Sequence, residues 1–130
     1  MKYRLMVIDD ESPVRRLVAY TLRSLDIEVI GAENGAEALQ LAEQYRLDMI
    51  LVDINLPEMD GFSVIERLRS LPALAEVPVI TVTARSHQGD EARARSLGAS
   101  DFFYKPFSTQ ELRSLAQRFL LEKHNERRAT

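Results

Sequence analysis

The stretch "RLMVIDDESPVRRLV" (Arg4–Val18) contains the change of period that decides the architecture. Leu5 to Ile8 are apolar without a break, the pattern of a strand covered on both faces. Three acids follow at once, Asp9, Asp10 and Glu11; Ser12 then offers an N-cap, with Pro13 at the first helical position. Beyond it, Val14, Leu17, Val18, Thr21, Leu22 and Leu25 recur on one face at helical spacing. A strand that hands over to a helix across a few polar residues is the first half of a βαβ unit.

Reading outward, the same handover repeats. Strands are predicted at Tyr3–Asp9, Glu28–Ala32, Met49–Asp53, Val79–Thr83 and Asp101–Tyr104, with "MILVD" and "VPVITVTA" apolar on both faces. Helical spacing reappears in Phe62, Val64, Ile65 and Leu68, and again in Leu112, Leu115, Ala116 and Phe119. Asn34 with Glu37, and Ser108 with Glu111, have capping-box spacing, the second being the better match. Gly98 stands where a helix-ending glycine belongs. Strand and helix therefore alternate five times, which predicts an α/β fold: a flavodoxin-like doubly wound (βα)5 sandwich whose parallel sheet has the order 2-1-3-4-5, the order being taken over from folds of that class.

Composition narrows the chemistry. The 130 residues suit one domain, and the absence of cysteine excludes disulfides, thiol catalysis and cysteine metal sites. A net charge of −3, mixed in sign along the chain, gives no electrostatic footprint for direct nucleic-acid binding or an acidic membrane surface. No apolar run approaches a membrane span, and "MKYRLMVIDD" lacks a signal peptide's features, so a cytoplasmic protein is expected.

Polar residues end the predicted strands: Asp9 and Asp10 after the first, Asp53 at the third, Thr83 at the fourth, Lys105 after the fifth. Neighbouring parallel strands lie about 4.8 Å apart, so these groups converge on one mouth of the sheet. Two carboxylates at 4 Å and an effective dielectric of 20 repel by about 4 kcal/mol, which protonation, a lysine or a divalent cation must relieve. An all-oxygen donor set suits Mg²⁺, and the Lys105 charge with the Thr83 hydroxyl suits a phosphoryl group carried on Asp53.

"IDDE", "LVDINLPEMDG", "TVTA" and "GASDFFYKPF" together resemble the receiver domain of bacterial two-component response regulators. The resemblance covers nearly the whole chain, as a receiver over 1–122 and a polar tail or frayed helix end over 123–130. It implies that Asp53 takes phosphate from a sensor histidine kinase or a histidine phosphotransfer protein. Asp10 would bind Mg²⁺ directly, Asp9 largely through water, and the Asn55 backbone carbonyl would add a ligand. Lys105 would pair with phosphoryl oxygens, and the Lys105–Pro106 bond would be cis. Thr83 would swing toward the phosphoryl group while Phe102 moves inward behind it, switching a surface of helix 4, strand 5 and helix 5. That surface would act on a downstream protein target or a fused output domain, and phosphorylation-dependent dimerisation is a further expectation. Asn55 and Arg85 are expected to flank the phosphoryl group and set its lifetime.

Three alternatives share parts of this pattern. A flavin mononucleotide binder would want Ser, Thr and Gly after the first strand, where "DDESP" places acid. A haloacid-dehalogenase-like phosphatase would need an acid two residues after its nucleophile, where Asn55 stands. A phosphorylation-independent binding module would not need the full set of acids, threonine and lysine. Phe103 and Tyr104 read as packing or surface residues, "RARSLG" as a solvated basic face, and His87 and His124 are assigned no role.

Overall fold

The computed structural model describes residues 3–129, with side chains described through Leu120. The chain order is β1 (Tyr3–Ile8), α1 (Ser12–Leu22), β2 (Ile27–Ala32), α2 (Gly35–Gln44), β3 (Met49–Asp53), α3 (Gly61–Arg69), β4 (Val79–Thr83), α4 (Asp90–Ser96), β5 (Asp101–Tyr104) and α5 (Thr109–Ala129). All strand pairs are parallel, and the sheet order is β2-β1-β3-β4-β5, as expected.

Strand pleating sorts the apolar residues into two cores. Met6, Ile8, Ile50 and Val52 point to the layer containing Ala38, Phe62, Val64, Ile65, Leu68 and Ala94 of α2, α3 and α4. Leu5, Val7, Met49, Leu51, Ile80 and Val82 point to the other, against Val18 and Leu22 of α1 and Leu112, Leu115, Ala116 and Phe119 of α5. The three inner strands are thus buried on both faces, which is why their sequences lack polar alternation.

Helix ends follow local chemistry. Asn34 Oδ1 accepts the Glu37 amide at 2.8 Å, while Glu37 reaches back to the Glu33 amide rather than that of Asn34. Ser108 and Glu111 close a reciprocal box, at 3.0 and 3.1 Å. Gly98, at φ +109°, ends α4, and the Ala99 and Gly98 amides reach back to Ala94 and Arg95. Arg69 extends from α3 into the carbonyls of Leu74, Val77 and Gly98, joining three segments; burial lowers its pKa.

Four expectations need correction. β1 ends at Ile8 and Asp9 begins the loop, while β2 starts one residue early, at Ile27. Ser12 is the first helical residue and not the cap; Glu11 occupies the cap position and makes no side-chain cap bond. Leu17 is 40 % exposed, because α1 seats Val18, Thr21 and Leu22 and turns position 17 outward. The segment read as a frayed helix end or tail stands apart from these; its backbone is helical to Ala129. The side chains of that segment, His124 included, lie outside the described residues. Among the described residues no helix is long and apolar enough to cross a membrane.

The Thr21 hydroxyl is buried in α1 with no hydrogen-bond partner among the described residues. A buried unpaired hydroxyl carries a desolvation cost, so Thr21→Val is expected to raise stability by about 1 kcal/mol. Urea denaturation checks this through a higher midpoint at constant m.

Candidate functional site

The site forms where β1 and β3, neighbours in the sheet, deliver their carboxyl ends to one edge. Every polar group of Asp9 is engaged. Its amide donates to the Ala32 carbonyl at 3.0 Å, and its carbonyl accepts from Arg15 Nη1 at 2.6 Å. Its carboxylate accepts the Glu11 amide at 2.9 Å and Lys105 Nζ at 2.7 Å. Asp53 is held in the same way, accepting the Asn55 amide at 2.8 Å and Lys105 Nζ at 2.9 Å. Lys105 therefore bridges the two buried acids, with side-chain exposures of 12 % for the lysine, 3 % for Asp9 and 7 % for Asp53. Glu11 lies further out on the same ammonium, at 3.4 Å.

These contacts set the protonation energetics. Burial raises the Asp9 pKa, and the Lys105 and Glu11 hydrogen bonds only partly offset it. For Lys105 burial acts against the charge, but hydrogen bonds and charges from Asp9 and Asp53 outweigh it and raise the pKa. Part of the repulsion anticipated from the sequence is thus answered by the lysine. The rest is not. Asp9, Asp10 and Asp53 each place an oxygen within 4.8 Å of the others, and Asp10 is exposed. With all three ionised, one ammonium leaves two negative charges.

Thr83, at the end of β4, is fully buried. Its hydroxyl donates to the Arg85 carbonyl and accepts from the Arg85 amide at 3.0 Å and from Asn55 Nδ2. Asn55 Nδ2 also reaches the Arg85 carbonyl, at 3.2 Å. Thr83 thus meets the loops after β3 and β4, with its hydroxyl engaged by Asn55 and Arg85. Phe102 is 7 % exposed and already stands in the core beneath α3 and α4, whereas Tyr104, on the same face, is half exposed. The Lys105–Pro106 peptide bond is cis, as expected.

A family model described as the response regulator receiver domain matches residues 5–117. The chain belongs to that family. The receiver is 41 % identical over 109 residues to the transcriptional regulatory protein PrrA of Mycobacterium tuberculosis, an alignment covering 84 % of this chain and 46 % of PrrA. It superposes on the Vibrio cholerae chemotaxis protein CheY4 with a TM-score of 0.87 at 28 % identity, covering 92 % of this chain and 99 % of CheY4. It also superposes on the receiver domain of the Pseudomonas aeruginosa sensor histidine kinase PA1611, with a TM-score of 0.82 at 32 % identity, covering 92 % and 98 % of the two chains. That protein was solved with a magnesium ion coordinated in its active-site cleft. The chain spans about half the length of the curated relatives it matches.

The receiver's donor set fits a divalent cation. Its three oxygen donors are close, carry two surplus negative charges, and include one acid open to solvent. Strand-end reading brought Asp9, Asp10, Asp53 and Lys105 together correctly. It missed Arg15 and Glu11, and it missed the triangle that ties Thr83 to Asn55 and Arg85. Arg15 acts on a backbone carbonyl, which leaves no side-chain pattern to read. Glu11 was visible in the quoted run, but only the fold brings it to Lys105.

Proposed function

We propose that the receiver accepts a phosphoryl group on Asp53 from a phosphohistidine of a sensor histidine kinase or histidine phosphotransfer protein. The surplus of two negative charges around a buried, lysine-bridged Asp53 carries this reading. Asp9, Asp10, Asp53 and the Asn55 backbone carbonyl would hold Mg²⁺. Bound there, Mg²⁺ supplies positive charge to the phosphoryl oxygens.

The chain's own residues do the rest. An Asp53 carboxylate oxygen forms the new O–P bond while the electrons of the P–N bond return to the imidazole nitrogen of the donor. The Asn55 amide on Oδ1 and Lys105 on Oδ2 fix the nucleophile's orientation. Lys105, freed from its two-acid bridge, follows the negative charge onto the phosphoryl oxygens. Thr83 exchanges its bonds to Arg85 and Asn55 for one to the phosphoryl group. Phe102, interior already, fills the space behind it. The surface of α4, β5 and α5 then repacks, acting in the cytoplasm on a protein target or output domain, or on a second copy of the chain.

Incubation with acetyl phosphate and Mg²⁺ tests the reading by intact-mass and peptide mass spectrometry. One phosphoryl group on Asp53, lost in Asp53→Asn, is the expected result; no adduct, or one elsewhere, contradicts it. Arg85 is exposed and tied through its backbone to Thr83 and Asn55, and its long side chain would hinder water from attacking the acyl phosphate. Arg85→Ala is expected to hydrolyse roughly tenfold faster, equivalent to ~1.4 kcal/mol off the barrier. An unchanged decay rate discards that role.

A further inference from the structure

We infer that Arg15 is a positioning residue for the cation site, acting through the backbone of Asp9 and relying on the bare face of Gly31. The inference rests on the proposed metal-binding role of Asp9 and Asp10. Arg15 lies in the second turn of α1, and its Nη1 donates to the Asp9 carbonyl at 2.6 Å. That carbonyl belongs to the peptide that carries Asp10. Asp10 is exposed, and no hydrogen bond to its carboxylate is seen among the described residues. The backbone therefore decides where this carboxylate stands.

The loop needs such a tether. Asp9, Asp10 and Glu11 repel one another, and β1 has ended at Ile8, so the bond from the Asp9 amide to β2 is the last that the sheet supplies. The Asp9 amide is tied to β2 through Ala32, and the guanidinium ties its carbonyl to α1. Together they fix the two peptides that flank Asp9, the second of which leads directly into Asp10. Partners that orient a metal ligand from behind typically matter tenfold or more for affinity.

Gly31 makes the contact possible. It pairs with Val7 across the β2–β1 ladder, and the Arg15 stem lies directly over it. A Cβ at position 31 would stand 3.2 Å from Arg15 Cδ, so the stem must give by a few tenths of an ångström for a methyl group and further for a branched side chain such as valine. The position is an exposed strand site where a β-branched residue is otherwise favoured. Two substitutions, one on each partner, should therefore give the same loss.

Mn²⁺ titration followed by electron paramagnetic resonance tests this on the intact chain, with thermal unfolding and ¹H–¹⁵N spectra of the metal-free protein alongside. Arg15→Met and Gly31→Val are each expected to weaken Mn²⁺ binding about tenfold and to shift the Asp10 amide resonance before metal is added. The double variant should bind no more weakly than either single one, and Arg15→Lys should recover part of the loss. Gly31→Val should keep or raise the unfolding temperature, so it carries the test if Arg15→Met folds poorly. Wild-type affinity in both single variants overturns the inference and leaves the proposed function standing. Losses that track stability, or that add in the double variant, also overturn it. A wild-type chain that binds no Mn²⁺ overturns the proposed function as well.

Discussion

Lys105→Met is expected to lower the unfolding free energy by about 3–5 kcal/mol at neutral pH, the range for removing one partner of a buried ion pair. Asp9 and Asp53 are almost wholly buried and share the Lys105 ammonium at 2.7 and 2.9 Å. Without it two carboxylates face each other in a poorly solvated mouth, and desolvation already raises Asp9 when the lysine is present. The variant's loss therefore depends on pH with a definite sign. An acid whose folded pKa lies above its unfolded value loses stability as pH rises through the unfolded value of about 3.9. The gap between variant and wild type should narrow on acidification toward pH 4 and be widest near neutrality. Magnesium should recover more stability in the variant than in wild type, since a ligand at 100 times its Kd contributes about 2.7 kcal/mol to whichever state it binds. Urea denaturation at several pH values, with and without Mg²⁺, measures both effects. A neutral-pH loss below about 1 kcal/mol would show that the acids do not depend on the lysine.

The second large effect is steric. Gly61 opens α3, and its amide bonds back to the Ile54 carbonyl at 3.2 Å, so the chain leaving β3 folds against its own strand end. A Cβ at this position would lie 2.4 Å from Ile54 Cα and 2.5 Å from the Asp53 carbonyl oxygen. Both are backbone atoms, and no rotamer change relieves the overlap. Gly61→Ala is expected to cost about 3 kcal/mol or more, as a lower urea midpoint, because either α3 or the end of β3 must move. The second route displaces Asp53, so phosphoryl uptake should fall beyond what the folded fraction explains. A variant as stable and as reactive as wild type would contradict this packing.

Much of this was legible beforehand, for physical reasons that also mark where legibility stops. β3 and β4 fall on the expected residues because strands buried on both faces leave unbroken apolar runs with sharp polar ends, and β5, a partly buried edge strand, falls where its aromatic run stands between Gly98 and Pro106. The convergence of Asp9, Asp10, Asp53 and Lys105 followed from strand order alone, since parallel strands all end at one edge. Leu17 misled because the spacing in α1 supports a wider apolar stripe than the sheet and α5 cover. Ser12 misled because the acids of the preceding loop continue one residue further than a serine cap would require. Arg15 bonds to a carbonyl, and the Thr83, Asn55 and Arg85 triangle depends on how two loops meet. Neither leaves a periodic trace in the chain.

In the proposed function, surplus negative charge at the tips of β1 and β3 forms a divalent-cation site that readies Asp53 for phosphorus. Calorimetric titration of the intact chain with Mg²⁺ tests it most directly, with Asp10→Asn run in parallel. One ion per chain is expected for the wild type, and a loss of binding in the variant. A wild type that takes up no magnesium, or an Asp10→Asn protein that binds as the wild type does, would contradict it.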